Sequence, residues 1–131
     1  MDILKYSKKK FISYVNNNST YTKNIPQHLQ RLAIKEFAAQ KKFQLEYEYL
    51  EYNNMDHLPI LFYLLESKKQ KNIVLFSIYS IGTSKTIVNK FFNTVKKNNK
   101  KIFFADENLS PNRLKDTYTI NKIISHKNFI K

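Results

Sequence analysis

The sequence predicts an α/β fold, a single small domain on a four-stranded, mostly parallel sheet with helices on both faces. Three observations carry that expectation. Apolar, β-branched runs alternate with segments of helical spacing from end to end, without an internal repeat or a linker. The order strand–helix repeats with short connections, and right-handed crossovers leave few topologies for it other than a doubly wound parallel sheet. The most apolar run, Asn72-Ile-Val-Leu-Phe-Ser-Ile78, leads to Gly82, the only glycine of 131 residues, and helical spacing resumes at Ser84. A lone glycine placed there serves a backbone conformation that other residues strain, and a strand–turn–helix junction marks the carboxyl edge of a parallel sheet.

Lys10–Val15 reads as the first strand and ends in the polar run 16–20. Asn24-Ile-Pro-Gln27 is a helix start, with asparagine as cap and proline in the first turn. Leu29, Leu32, Ala33 and Phe37 then recur at helical spacing to about Gln40. Phe43–Leu50 alternates Phe43, Leu45, Tyr47 and Tyr49 with Gln44, Glu46 and Glu48, the pattern of a strand near a sheet edge. Asp56 is placed to cap a short helix with Pro59 in its first turn and Leu58, Leu61, Phe62 and Leu65 as its buried stripe. Asn72–Ile78 is then the central strand. Ser84–Asn98, with Ile87, Val88, Phe91, Phe92 and Val95, is the cleanest amphipathic helix. Lys101–Ala105 is a fourth strand, and Ser110-Pro111 caps a final segment through Ile124. Residues 1–9 are expected to be a flexible basic terminus and residues 110–131 a helical segment or tail.

A chain of 15.7 kDa suits one hydrophobic core. Apolar residues at 42% and aromatics at 15% argue against disorder. No apolar run approaches the roughly 20 residues of a membrane span, and the first ten residues lack a secretory h-region. Absent cysteines exclude disulfides, thiolate metal sites and cysteine nucleophiles. A cytoplasmic protein is the simplest expectation. His28, His57 and His126 lack ligand spacing, so no metal is expected, and no cofactor motif occurs; one glycine cannot build a phosphate loop.

The formal charge of +13 points toward nucleic acid. Almost all of it is lysine, however, with Arg31 and Arg113 the two arginines, so the bidentate forks that read bases are scarce. The lysines also have an order: Lys8-Lys9-Lys10, Lys41-Lys42, Lys68-Lys69, Lys71, Lys96-Lys97 and Lys100-Lys101 all precede a strand. A parallel sheet gathers them at its amino edge, as a phosphate-binding surface or simply a solvated rim. The carboxyl edge collects Asn16–Ser19, Glu51, Tyr52, Tyr79–Thr83, Asp106 and Glu107. There Glu51, Ser80 and Glu107 are the catalytic candidates, because strand-end carboxylates suit acid–base work. The alternative role for such acids is helix capping. Thr83 and Ser84 stand at a helix start suited to an anion, or to capping alone. Gln27 and Gln30, one turn apart, are candidates for sugar contacts or surface residues.

Two resemblances add to this reading. Ile25-Pro-Gln-His-Leu-Gln30-Arg-Leu-Ala-Ile34, Leu50-Glu-Tyr52, Val74-Leu-Phe-Ser-Ile78 and Phe103-Phe-Ala-Asp-Glu107 resemble the sporadic carbohydrate cluster proteins of bacterial surface-polysaccharide gene clusters. That resemblance implies a gene context rather than a reaction. More distantly, Ile78-Tyr-Ser-Ile-Gly-Thr83 stands where serine recombinase catalytic domains carry Leu-Asp-Arg-Leu-Gly-Arg, and it keeps the glycine. Tyr79 occupies the aspartate position, Ser80 and Thr83 the arginine positions, and Asn16 the arginine before the nucleophile, with Ser19 near the nucleophile itself. Phosphodiester exchange needs that lost positive charge. The resemblance therefore implies a resolvase-like, flavodoxin-like scaffold without the reaction.

Two functions follow as expectations. The first is an accessory or enzymatic part of capsule or lipopolysaccharide biosynthesis. It would take a nucleotide sugar or sugar phosphate in a carboxyl-edge cleft lined by Glu51, Tyr52, Ser80 and Glu107. The second is a catalytically inactive recombinase-like module that binds nucleic acid or protein through Lys96, Lys97, Lys100 and Lys101. A homodimer without chemistry of its own is a further expectation.

Overall fold

The computed structural model describes residues 9–16, 25–51, 58–82 and 84–126. Four strands, β1 (Lys9–Asn16), β2 (Phe43–Glu51), β3 (Asn72–Leu75) and β4 (Lys101–Phe104), form one sheet in the order β2-β1-β3-β4. Every neighbouring pair is parallel, as the alternation of strands and helices predicts. Four helices connect or follow them: α1 (Gln27–Lys41), α2 (Pro59–Glu66), α3 (Lys85–Lys97) and α4 (Leu114–His126). The chain winds from β1 outward to β2 and returns to β3 on the other side, so the winding reverses between β1 and β3.

Successive strand residues face opposite sides, and the core divides accordingly. On one side Ile34 and Phe37 of α1 pack on Phe11, Val15, Val74 and Phe103. On the other, α2, α3 and Ile120 of α4 cover Ile12, Tyr14, Ile73, Leu75, Ile102 and Phe104. Each fully buried Leu, Ile or Phe contributes about 1.5–3 kcal/mol.

Several local readings change. The buried stripe of α1 is Gln30, Ile34, Phe37 and Ala38, whereas Leu29 and Leu32 are 43% and 61% exposed. The run from Asn72 stays extended only to Leu75, because Ser77 caps a 3-10 turn over Ile78–Ile81. Gly82 follows at φ 97°, ψ −169°, a conformation a Cβ would strain, so the glycine serves the turn rather than the strand end itself. The fourth strand stops at Phe104, one residue early. Ser110 and Pro111 do not cap α4. They belong to a stretch that runs back along β4, where Phe104 and Leu109 exchange backbone bonds of 2.8 and 3.3 Å. Asn112 continues the pairing with its side chain, accepting from Ile102 N (2.8 Å) and donating to Lys100 O (2.9 Å). That stretch covers one sheet edge. Asp56 lies outside the described residues.

The outer strand β2 carries a bulge. Phe11 pairs with Leu45 but Ser13 with Glu48, so β2 spends one extra residue between them. Before the bulge Phe43 and Leu45 face α1; after it Leu50 does, and Tyr49 crosses to the α2 side. The uninterrupted alternation expected from the sequence is therefore broken, and Tyr47 is left 64% exposed. Glu51 shares the parity of Tyr49, which directs it toward α2.

Lys100 is buried just before β4, donating from Nζ to Gln70 O (2.6 Å) and Ser67 O. Burial, and secondarily the charge of Lys71, holds its pKa below the usual lysine range. The ammonium thereby fastens the connection between α2 and β3. Lys100→Met keeps the apolar stem but strands both carbonyls; urea unfolding is expected to show a loss of about 1–3 kcal/mol. Lys97→Met on exposed α3 should stay within about 0.5 kcal/mol. Equal unfolding midpoints for the two variants would contradict the assignment.

Candidate functional site

Parallel strands give the molecule two chemically distinct poles, and each was a candidate site from the sequence. At the carboxyl pole, the Glu51 carboxylate is buried at the end of β2. It accepts from Tyr14 Oη (2.8 Å), Ile60 N (3.1 Å) and Leu61 N (3.0 Å). These amides are the free N–H groups that open α2, so a side chain of this protein already fills the place an anion would take. Glu107 follows β4 and accepts from Ser77 Oγ (2.6 Å) and Ile78 N (3.1 Å). Ser80 is buried, its Oγ accepting from Ser77 N (3.3 Å) to complete a capping box. Ser84 caps α3, accepting from Ile87 N at 3.4 Å.

Between β1 and β3, where winding reversal normally opens a crevice, two amides link the elements. Asn16 Nδ2 donates to Ser80 O (3.1 Å), and Gln30 Nε2 donates to Asn16 O (3.0 Å) and Ile25 O (2.9 Å). Gln30 is fully buried and ties α1 to the end of β1, while Gln27 stays partly exposed near Arg31 (3.3 Å). Tyr52, Thr83 and Ser19 lie outside the described residues. The structure thus brings Ser80 and Glu107 together through Ser77 and leaves Glu51 on a separate network with Tyr14. Sequence reading placed Asn16 at this edge but missed Tyr14 and Ser77 as groups that hold these ends. The visible signal was a polar residue at each strand's carboxyl end, but the partners depend on register.

Neither arginine supplies charge there. Arg31 pairs with Glu48 (2.7 Å) across α1 and β2, and Arg113 pairs with Asp116 (2.6 Å) beside α4. Among the described residues, no group of three or more His, Asp or Glu is placed to hold a metal ion.

At the amino pole the strand starts assemble lysines. Lys9 and Lys10 open β1, Lys41 and Lys42 precede β2, Lys71 precedes β3, and Lys101 opens β4. Lys96 and Lys97 end α3 at the same pole, both exposed. Lys101 is half-buried and touches Lys9; that side-chain contact, then burial, then the Lys9 charge hold its pKa below the usual lysine range. Of the four lysines singled out in the sequence, Lys96, Lys97 and Lys101 reach the surface and Lys100 turns inward. Lys9, which the sequence also places at this pole, lies near Lys101 across β3.

This fold defines a recognisable class of scaffold. The N-terminal catalytic domain of TP901-1 integrase superposes with a TM-score of 0.68 at 13% identity, over 89% of this chain and 92% of that one. A resolvase family site-specific recombinase from Streptococcus pneumoniae superposes with a TM-score of 0.64 at 10% identity, over 90% and 87%. At such identities the likeness shows the fold alone, and it is the resolvase-like fold that the sequence resemblance implied. No family profile matches the chain, and no curated protein sequence does. The resemblance to sporadic carbohydrate cluster proteins therefore receives no support, nor do the polysaccharide role and sugar partners that came with it. Among the described residues no helix is long and apolar enough to cross a membrane.

Two predictions follow from the carboxyl pole. Glu51→Ala removes three bonds to a buried carboxylate and should lower stability by roughly 2–4 kcal/mol in urea unfolding. An unchanged midpoint would sink the capping role. Desolvation raises the Glu107 pKa above its ordinary 4.5, against the lowering effect of its bonds to Ser77 and Ile78. The folded carboxyl then binds its proton to higher pH than the unfolded one. Its contribution to stability is full below pH 4.5 and is lost as pH rises through the raised value. Glu107→Gln should flatten that fall in a pH series of unfolding midpoints; parallel curves for both proteins would refute it.

Proposed function

We propose that this chain is a non-catalytic module on the recombinase scaffold that binds nucleic acid through the phosphate backbone, using the lysine pole. The observation that carries the proposal is the gathering of Lys9, Lys71, Lys96, Lys97 and Lys101 at one pole of the sheet. Lys9 lies near enough to Lys101 to hold its pKa below the usual lysine range. Among the described residues, the ion pair at that pole, Lys10 with Glu46, is a loose 4.0 Å. Such a concentration of like charge is relieved by a polyanion, whose phosphates release counterions as they dock. Lysine without arginine favours backbone contact over base reading.

The non-catalytic part rests on the carboxyl pole. The positions matching the recombinase motif hold Asn16, Tyr79 and Ser80, and the Glu51 and Glu107 carboxylates and the Asn16 and Gln30 amides are committed to internal bonds. At the positions where the motif carries arginine, a developing pentacoordinate phosphate would meet Asn16 and Ser80 instead of a guanidinium. Pairing of two copies through helices, which the recombinase resemblance also implies, belongs to the same reading.

Fluorescence anisotropy on a random duplex between 50 and 200 mM salt, a range over which each phosphate contact costs about threefold in affinity, tests it. Replacing Lys96, Lys97 and Lys101 together by Gln should weaken binding at least about tenfold and reduce the salt slope by about 3, one unit per lost phosphate contact. Supercoiled plasmid should remain uncut throughout. Unaltered affinity in the triple variant, or a strong preference among unrelated duplexes, would overturn the proposal.

A further inference from the structure

The lysine pole continues into a groove of about 510 Å³ between the last turns of α3 and the first turns of α4. Its floor is apolar: half-buried Phe92 and buried Val95 and Ile120. Its rim carries Lys96, Asn99, Thr117 and Asn121, all on the surface, and Lys96 is the only charged residue of the lining. Asn112 also lines it, but its amide is spent on β4. Phe92 is braced edge-on by Phe91, with centroids 5.0 Å apart at 85°. The volume lies within the roughly 300–1,000 Å³ of small-ligand pockets.

We infer that this groove takes the unpaired bases of a single strand whose phosphates lie on the lysine pole. The inference rests on the nucleic-acid reading above and deepens it. Charge complementarity selects the occupant: an apolar floor beside an aromatic ring, entered past Lys96 and adjoining Lys97, suits a flat, uncharged ring tethered to an anionic backbone. Exposed Asn99 and Asn121 each offer a donor and an acceptor to a base edge. A paired duplex keeps its bases stacked inside, so only a single strand can present them.

The experiment compares the full chain binding a labelled homothymidine strand of about 16 nucleotides and a duplex of similar length by anisotropy. The single strand should bind about tenfold or more tightly. Phe92→Leu conserves bulk but removes the aromatic face, and should erase that preference while leaving duplex affinity unchanged. Thr117→Leu, an exposed change that narrows the groove, does the same without touching the core, so one variant's misfolding leaves the other decisive. Equal affinity for strand and duplex in the wild type, or a preference that survives both variants, overturns the inference while duplex binding upholds the backbone reading. If neither nucleic acid binds, the backbone reading itself falls and this inference with it. If instead Thr117→Leu alters self-association in sedimentation and spares strand binding, the groove is a contact between copies and the inference is wrong.

Discussion

The common direction of the four strands is the constraint on which the molecule depends. With every neighbour parallel, β1 and β3 are bonded on both edges and covered on both faces, so each connection must cross the sheet as a helix. Each strand start then falls at one pole and each strand end at the other. Chemistry is sorted by position in the chain: residues before strands go one way and residues after them the other. An antiparallel hairpin anywhere would have mixed lysines with carboxylates. The separation of Lys9, Lys71 and Lys101 from Glu51 and Glu107 is thus a property of topology rather than of any single contact.

Topology was legible in the sequence because it rests on periodicity, which survives local error. The common strand direction, the edge position of β2 and the amphipathic α3 all follow from alternation and spacing. What was not legible depends on backbone events a pattern does not announce. The β2 bulge shifts the parity of Glu51, and a one-residue shift decides whether that carboxylate meets α2 or α1. The 3-10 turn begins inside an apolar run because Ser77 and Ser80 cap it reciprocally, so hydrophobicity alone overextends β3. Leu29 and Leu32 fit helical spacing, yet Gln30 takes the buried place because Asn16 offers it backbone partners. With a single glycine, left-handed positions fall to Lys42, Leu58, Asn99 and Asn108, which hides helix ends that glycine would mark.

The carboxyl pole shows how polar groups at strand ends are consumed by the fold itself. A buried polar group needs a partner, and the described residues leave no buried side-chain nitrogen or oxygen without one. Asn16 bonds Ser80 O, Glu51 bonds the start of α2, and Glu107 bonds Ser77 and Ile78. Groups spent this way stabilise the ends of strands and the starts of helices. To bind an anion the same pole would have to exchange an internal acceptor for an external one, with little net gain. The resolvase-like fold therefore locates these residues without assigning them the work done by their counterparts on that fold.

The amino pole obeys the opposite logic. Two unit charges about 4 Å apart repel by about 1 kcal/mol in water and by more near a protein surface. Like charges gathered at one pole, Lys9 near Lys101 among them, are therefore mutually unfavourable, and burial of the sheet outweighs that repulsion. Lys100 marks the contrast: drawn inside, it is satisfied by Gln70 and Ser67 carbonyls and has nothing left to offer a ligand. Among the described residues, exposed Lys96 and Lys97 show no such internal acceptor. Their repulsion weakens when salt screens them or when an anion sits between them, and only the second brings directional contacts. A groove with an apolar floor beside that charge adds a second requirement, since whatever neutralises Lys96 also decides what lies next to Phe92. Charge alone would accept any polyanion; charge next to an aromatic floor favours one whose backbone is charged and whose rings are free.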